Sequence, residues 1–355
     1  MAAPIERGRV VARILAGAWR TSPPHLDLSR AALVAAAPLL LASGAAGLAW
    51  WRLRGSPLAE AAEEAGLRQA YRLHTLEAAV HRRRILEAFR AFQAAGLDPV
   101  LVKGWAIARL YPEEGLRPYT DLDLHVRGED AAAATAIALD LAGRGFPVDL
   151  HRGWGRLDDR AAGVLLGGSA RVALEDGAIR VLGFEDHVRL LCLHMLGHGA
   201  WRPLWLSDLA VALESPPSGF DWDRLLGGEQ CRNEWVACAL ALAHALLGAS
   251  LEGAPARVRE RRLPRWLVPT VLKAWGSLSP DTPQGSRQPM SDYLWRPAGW
   301  LRALRVRWPN PIEATIGVGG PFNEIPRLPF QIRECLSRAA RFAGEMRARR
   351  RARSR

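Results

Sequence analysis

The stretch RPYTDLDLHV, residues 117–126, places two aspartates in a short apolar run. Asp121 and Asp123 alternate with leucine, and this period of two predicts a β-strand whose two carboxylates share one face. Strand geometry separates their Cα atoms by roughly 6.5 Å, so the two charges repel each other. A divalent cation removes that repulsion, because Mg²⁺ binds one or two carboxylates together with substrate phosphates. The pattern indicates a Mg²⁺ site, with Mn²⁺ as an alternative ion; the competing interpretation is a chance D-x-D at an exposed strand end.

Two further segments carry residues suited to the same chemistry. The run PVLVKG predicts a strand that ends at Lys103 and Gly104, where the chain turns into a helix. Glycine lets the backbone approach a ligand closely, and the N-terminus of a helix favours an anion such as phosphate. The run FPVDLH predicts another strand with Asp149 and His151 on one face, where His151 either orients Asp149 or lies at a solvated strand end. Three carboxylates beside such a turn suit two-metal phosphoryl transfer.

The stretch VLVKGWAIARLYPEEGLRPYTDLDLHV resembles the nucleotidyltransferase family of the DNA polymerase β-like superfamily, which has a K-G-x-A…YP…RP..D-[IL]-D-L pattern. A second stretch, LHMLGHGAWRPLWLSDLAVAL, is similar to the H-x-x-x-H…W-L-x-D-[LV]-A segment of that family. The resemblance covers most of residues 30–215. It implies a small mixed sheet flanked by helices, together with a helical partner domain.

The resemblance also implies roles for individual residues of this chain. The catalytic and metal-binding residues are Asp121, Asp123 and Asp149, and the nucleotide-binding residues are Lys103, Gly104, Arg117, His198 and Asp208. One position departs from the superfamily pattern, because Trp105 follows Gly104 where serine or glycine is usual. A backbone N–H, Lys103 or Arg117 must then replace the usual serine contact to phosphate.

Two of these residues keep alternative interpretations. His194 and His198 lie four residues apart on a predicted helix, so they form either half of a zinc site or a pair of core or supporting side chains. Asp208 lies in an apolar helical run, where a carboxylate either pairs with an arginine or lines the cleft between domains.

The function that follows is a Mg²⁺-dependent nucleotidyltransferase. It would move a nucleoside monophosphate from an NTP, with ATP as the first candidate, to an acceptor and release pyrophosphate. The acceptor is open between a small molecule, a protein side chain and an RNA end. The alternative is a catalytically weak or inactive module of the same fold that binds a nucleotide or a partner.

The periodicity along the chain predicts an α+β protein in four parts. These are a helical N-terminal segment (1–75), a nucleotidyltransferase α/β domain (76–184), a helical C-terminal domain (185–345) and a basic tail (346–355). Residues 31–51 contain no charge and are long enough to span a bilayer, but they are rich in alanine and glycine. We interpret them as a buried helix or helix pair and expect no stable membrane insertion.

Composition narrows the class of protein further. The chain of 355 residues is 49% hydrophobic and 24% charged, which excludes a disordered protein. Its net charge of +12 is uneven, because the final stretch RARRRARSR holds many arginines and no acid and could contact polyanions. The 4 cysteines form no C-x-x-C pair, as expected for reduced thiols in a cytoplasmic protein.

Overall fold

The computed structural model describes residues 3–278 and 307–353, with the side chains of the last helix described to residue 344. The strands are β1 (Val100–Val102), β2 (Leu122–Val126), β3 (Val148–Arg152), β4 (Ala170–Leu174) and β5 (Gly177–Val181). The helices before β3 are α1 (Pro4–Leu15), α2 (Arg30–Ser43), α3 (Ala46–Leu53), α4 (Ala59–Glu64), α5 (Leu67–Ala94), α6 (Gly104–Ala108) and α7 (Ala131–Gly143). The later helices are α8 (Ala162–Gly167), α9 (Phe184–Gly197), α10 (Pro203–Leu213), α11 (Trp222–Leu226), α12 (Gln230–Leu247), α13 (Ala256–Arg259), α14 (Leu267–Trp275), α15 (Pro311–Gly317) and α16 (Leu328–Arg353). The predicted α+β class is confirmed.

One five-stranded mixed sheet in the order β3-β2-β1-β5-β4 forms the α/β part. Strand β1 pairs antiparallel with β2 and parallel with β5, whereas β2 and β3 run parallel. The predicted strand around Asp123 is confirmed and fully buried, although it begins one residue after Asp121. The register sets Asp123 opposite Asp149. The sheet thus brings two of the predicted carboxylates side by side.

Helix α5 covers one face of this sheet. Ile85, Phe89 and Phe92 on its second half are buried against residues of β1, β2 and β5. Its first half packs against α3 instead. The predicted boundary between residues 75 and 76 therefore falls within one continuous helix that joins the N-terminal segment to the sheet.

The uncharged stretch from Ala31 to Trp51 forms the predicted helix pair. Ser29 caps the N-terminus of α2, and Gly44 ends it with a φ of +74° that L side chains rarely adopt. No helix within residues 3–278 and 307–353 is long and apolar enough to cross a membrane.

The N-terminal helices share one hydrophobic core with the C-terminal helices. Val11, Ile14 and Leu15 of α1 belong to the same buried cluster as Leu272 and Trp275 of α14. The predicted C-terminal domain is helical throughout its described part, and residues 279–306 of it lie outside the described residues. The predicted basic tail continues α16 as helix to Arg353.

Helix α1 approaches α14 closely because residue 8 has no side chain. A Cβ added at Gly8 would lie 2.0 Å from the carbonyl oxygen of Leu272, which is a backbone atom. We expect Gly8→Ala to lower the free energy of unfolding by about 2 kcal/mol, since overpacking typically costs about 1–3 kcal/mol. This loss would appear although alanine is favoured over glycine in a helix by about 1 kcal/mol.

Urea denaturation measures this effect, with Gly55→Ala as the matched control. Gly55 is exposed, and a Cβ there would meet no atom within 4 Å. A Gly8→Ala protein as stable as wild type would contradict the close packing of α1 on α14.

Candidate functional site

A cavity of about 620 Å³ lies where the N-terminal helices, the sheet and the C-terminal helices meet; we call it the central cavity. Its wall includes Ser43, Gly44, His74, Glu77, Lys103, Gly104, Arg117, Tyr119, Asp121, Asp123, Asp149, His194, Trp201, Arg202 and Trp205. Six of the eight predicted site residues therefore line one cavity. The other two, His198 and Asp208, do not belong to its wall.

The strand register creates a compact group of metal-binding atoms. His151 Nε2 lies 3.0 Å from Asp123 Oδ1 and 3.3 Å from Asp149 Oδ2. One ligand atom from each of the three residues falls within 4.8 Å of the others, a spacing that could hold a metal ion. His151 thus lies among the carboxylates, which fits its predicted role in orienting Asp149.

Asp121 lies at the edge of this group, one residue before β2. Its side chain is half-buried in the wall of the central cavity. Burial raises the pKa of Asp121, and the nearby charges of Asp123 and Asp149 raise it further, against the effect of Lys103. Neighbouring carboxylates that destabilise one another's charge create a place where a cation is favoured.

Asp123 keeps its charge through two partners. Burial alone would raise its pKa, but the hydrogen bond to His151 and the Lys103 ammonium outweigh burial, so the pKa lies below its ordinary value. Lys103 Nζ forms the ion pair with Asp123. The paired carboxylates are therefore compensated by protein groups as well as suited to a metal.

The turn after β1 has an unusual backbone. Lys103 has a φ of +52°, which costs a non-glycine residue of order 1–3 kcal/mol and persists only where the surroundings fix it. Its N–H donates to His187 Nε2 over 2.9 Å. Burial, followed by the charges of Arg109 and Arg117, lowers the pKa of His187 to about 3, so the ring stays neutral and its Nε2 accepts. His187 on α9 holds the turn in place.

Gly104 and Trp105 complete the turn. Gly104 also has a positive φ, of +37°, and lies against the ring of Tyr119. The Trp105 side chain is 3% exposed and packs in the core beneath the sheet. The turn therefore offers the backbone of a glycine and no side-chain hydroxyl.

Arg117 and Asp208 form a buried ion pair between the sheet and α10. Arg117 Nη2 lies 2.9 Å from Asp208 Oδ2, and Tyr111 donates its hydroxyl to Asp208 Oδ1 over 2.8 Å. Asp208 is 0% exposed, so of the two predicted alternatives the structure has the pairing with an arginine. The geometry does not support the predicted contact of Asp208 with nucleotide. Both of its oxygens accept hydrogen bonds from Arg117 or Tyr111, and Asp208 lies outside the cavity wall.

His194 and His198 contact each other, with ring centroids 4.4 Å apart and ring planes tilted by 39°. His194 lines the central cavity, whereas His198 is exposed and its Nδ1 bonds to the backbone oxygen of His194. Within the described part of the chain no third ligand joins them, and their rings contact Trp205. The supporting role fits this geometry better than half of a zinc site, and His198 lies outside the wall that a nucleotide would touch.

Among the side chains of the wall that sequence reasoning did not identify are Glu77, Trp201, Arg202 and Trp205. Glu77 lies on α5, while the other three lie on or just before α10. Arg202 and the two tryptophans fall inside the second stretch quoted above, whose W-R-P-L-W segment was the available signal. Trp201 and Trp205 pack edge to face with centroids 5.2 Å apart and form an aromatic wall.

Comparison with known proteins bears on the part of the chain that carries Asp121 and Asp123. Residues 35–146 match the model of a family described as uncharacterised nucleotidyltransferase. No curated protein and no solved structure matches the chain significantly. The matched range begins in α2 and includes Lys103, Gly104, Arg117, Asp121 and Asp123. It ends at Phe146, just before β3, and supports a transferase at the level of the family.

The neutral state of His187 makes stability depend on pH. Its folded-state pKa of about 3 lies below the ordinary 6.5, so the unfolded chain binds a proton first and stability falls as pH drops below 6.5. His187→Gln keeps an acceptor for the Lys103 N–H but cannot titrate. Between about pH 8 and about pH 5.5 we expect wild type to lose about 1.4 kcal/mol more than the variant.

Urea denaturation at the two pH values gives this difference. His25→Gln, at an exposed histidine, controls for the removal of an imidazole. Equal losses in wild type and His187→Gln would mean that the ring titrates normally and does not hold the turn as a neutral acceptor.

Proposed function

We propose that this protein transfers a nucleoside monophosphate from an NTP to an acceptor in a reaction that depends on Mg²⁺. The main support is the side-by-side arrangement of Asp123 and Asp149, with Asp121 at their edge, in the wall of the central cavity. The match of residues 35–146 to a nucleotidyltransferase family supports the same reaction class.

The donor set fits a hard divalent ion. Asp121, Asp123 and Asp149 would hold Mg²⁺ through oxygen atoms, and the adjacent His151 nitrogen also suits Mn²⁺. When bound, such ions neutralise the charge of a triphosphate and stabilise the attacking and leaving oxygens. Lys103 and His151 keep Asp123 charged, and the other polar groups of the wall would position the substrates.

The residues of the site divide the work between the two substrates. Gly104 allows the nucleotide phosphates to approach the backbone, and the Lys103 ammonium has three donors, so it can pair with Asp123 and still reach a phosphate. Asp149 is more exposed than Asp123 and could accept the proton of an acceptor hydroxyl. ATP is our first candidate for the NTP. The acceptor stays open between a small molecule, a protein side chain and an RNA end.

One observation favours the alternative of a weakly active or inactive binding module. The position after Gly104 holds the buried Trp105, so the turn has no side-chain hydroxyl for a phosphate. The Lys103 N–H is already donated to His187. In such a module the nucleotide would bind without transfer. The experiments below separate the two functions.

Asp123→Asn should reduce nucleotidyl transfer by about a hundredfold or more, because a metal ion contributes several kcal/mol of transition-state stabilisation. The assay incubates the protein with NTPs labelled at the α-phosphate and a cell extract, and follows labelled product and pyrophosphate. Asp140→Asn removes an exposed carboxylate from α7 and should leave transfer unchanged. Transfer at the wild-type rate in a folded Asp123→Asn protein would disprove the assigned site.

Metal binding can be measured without any turnover. We expect His151→Ala to weaken Mn²⁺ binding by about tenfold to a hundredfold, as is typical when a ligand or the group that orients it is lost. Electron paramagnetic resonance measures the Mn²⁺ affinity. His25→Ala serves as the control at an exposed histidine. An unchanged affinity in His151→Ala would mean that His151 is only a solvated residue of an edge strand.

A further inference from the structure

Arg202 is a positive side chain of the central cavity with no assigned role. It lies just before α10, and its half-buried guanidinium reaches across the cavity to the end of α2. There its Nε donates to the backbone oxygen of Ser43 over 2.8 Å. A cation at the C-terminus of a helix is stabilised by the helix dipole, so this bond fixes the guanidinium at the wall.

The other two predicted phosphate-binding cations already have carboxylate partners. Lys103 pairs with Asp123, and Arg117 pairs with Asp208. Arg202 forms no ion pair within residues 3–278 and 307–344, and the Ser43 bond uses one of its five N–H donors. Arg202 is therefore a cavity cation whose Nη groups form no ion pair in the part of the chain that the structure describes.

A half-buried charge that forms no ion pair is unfavourable. Burial, followed by the repulsion of Arg117, lowers the pKa of Arg202 to about 10 against the weaker attraction of Asp208 and Asp121, so the side chain is still charged at neutral pH. Burying a charge costs several kcal/mol unless an opposite charge and hydrogen bonds compensate it. An anionic ligand in the central cavity would supply both.

The end of α2 is shaped around this guanidinium. A Cβ added at Gly44 would lie 2.6 Å from Arg202 Nη2, so a side chain here would displace the guanidinium, and the φ of +74° also disfavours any residue other than glycine. The family match begins at residue 35 and thus includes Ser43 and Gly44. The N-terminal helices therefore contribute to the site by holding Arg202.

We propose that Arg202 binds a phosphate group of the substrate in the central cavity, through the two Nη groups that the Ser43 bond leaves free. Guanidinium presents its donors as a planar fork that matches phosphate oxygens in pairs. This inference rests on the proposed function for the identity of the ligand. The shared chemistry is a phosphate-bearing anion, which is either the polyphosphate of the NTP or a phosphate on the acceptor.

The competing explanation is structural. Arg202 could serve only to hold the end of α2 against α10 through its bond to Ser43. That role predicts a loss of stability on substitution without any change in the affinity for phosphate compounds. Binding and stability must therefore be measured on the same variants.

Isothermal titration calorimetry with tripolyphosphate, a non-hydrolysable ATP analogue and inorganic phosphate, each with and without Mg²⁺, tests the proposal. We expect Arg202→Gln to lose about tenfold or more in affinity for at least one of them, and Arg202→Lys to lose less. A loss for tripolyphosphate and the analogue assigns Arg202 to the NTP. A loss confined to inorganic phosphate, measured with the analogue bound, assigns it to a phosphorylated acceptor.

Arg52→Gln is the matched control. Arg52 is also half-buried, donates to a single backbone oxygen, that of Pro24, and has a pKa lowered by burial, but it is absent from the wall of the central cavity. Wild-type affinity for all three ligands in a folded Arg202→Gln protein would overturn the proposal.

Chemical protection of the wild-type protein avoids any dependence on folding of the variants. Phenylglyoxal modifies accessible arginines, and peptide mass spectrometry would report on Arg202 and Arg52 separately. We expect tripolyphosphate to protect Arg202 and not Arg52; equal modification of Arg202 with and without saturating tripolyphosphate or inorganic phosphate would contradict the proposal. If Asp123→Asn loses transfer while tripolyphosphate still protects its Arg202, both the proposed transfer reaction and the phosphate-binding role of Arg202 are supported. If Arg202 is protected but the wild-type protein shows no transfer, only the proposed transfer reaction is contradicted.

Discussion

The structure depends on keeping a buried carboxylate charged. Asp123 lies within a fully buried strand, where an unpaired charge would cost several kcal/mol. Lys103, in the turn after β1, and His151, in β3, compensate it, and the pKa of Asp123 lies below its ordinary value as a result, despite burial. Lys103 reaches Asp123 from a turn in which its own φ is +52°, so the strained backbone and the charged carboxylate belong to one arrangement.

That arrangement in turn needs the C-terminal helices. His187 of α9 accepts the N–H of Lys103, and Asp208 of α10 holds Arg117 in the loop before β2. Both helices lie outside the segment that matches the nucleotidyltransferase family, and they fix the turn of Lys103 and the loop of Arg117 beside the sheet. The motif residues are only part of the site, because side chains from a different part of the chain also fix its geometry.

The sequence predicted the parts of this site that depend on local pattern. Alternation identified the strand of Asp123 and the edge strand of Asp149, and the glycine turn was identified from Lys103 and Gly104. Pairing across the chain was not predictable in the same way, because periodicity carries no information on which buried charge meets which. Asp208 was therefore listed as a nucleotide-binding residue with pairing to an arginine as the alternative, but its partner Arg117 could not be identified, and Arg202 received no role. The continuous helix α5 likewise crosses a boundary that composition suggested, since its second half packs on the sheet and its first half on α3.

The contact of α1 with α14 has a consequence for how the chain is made. On the ribosome the residues of α1 emerge before those of α14, and their backbone partner at Leu272 follows only after more than two hundred further residues. Contacts of such high sequence separation form slowly, and apolar surface left waiting for them is prone to aggregation. The apolar face of α1, with Val11, Ile14 and Leu15, therefore stays incompletely covered during synthesis until α14 emerges.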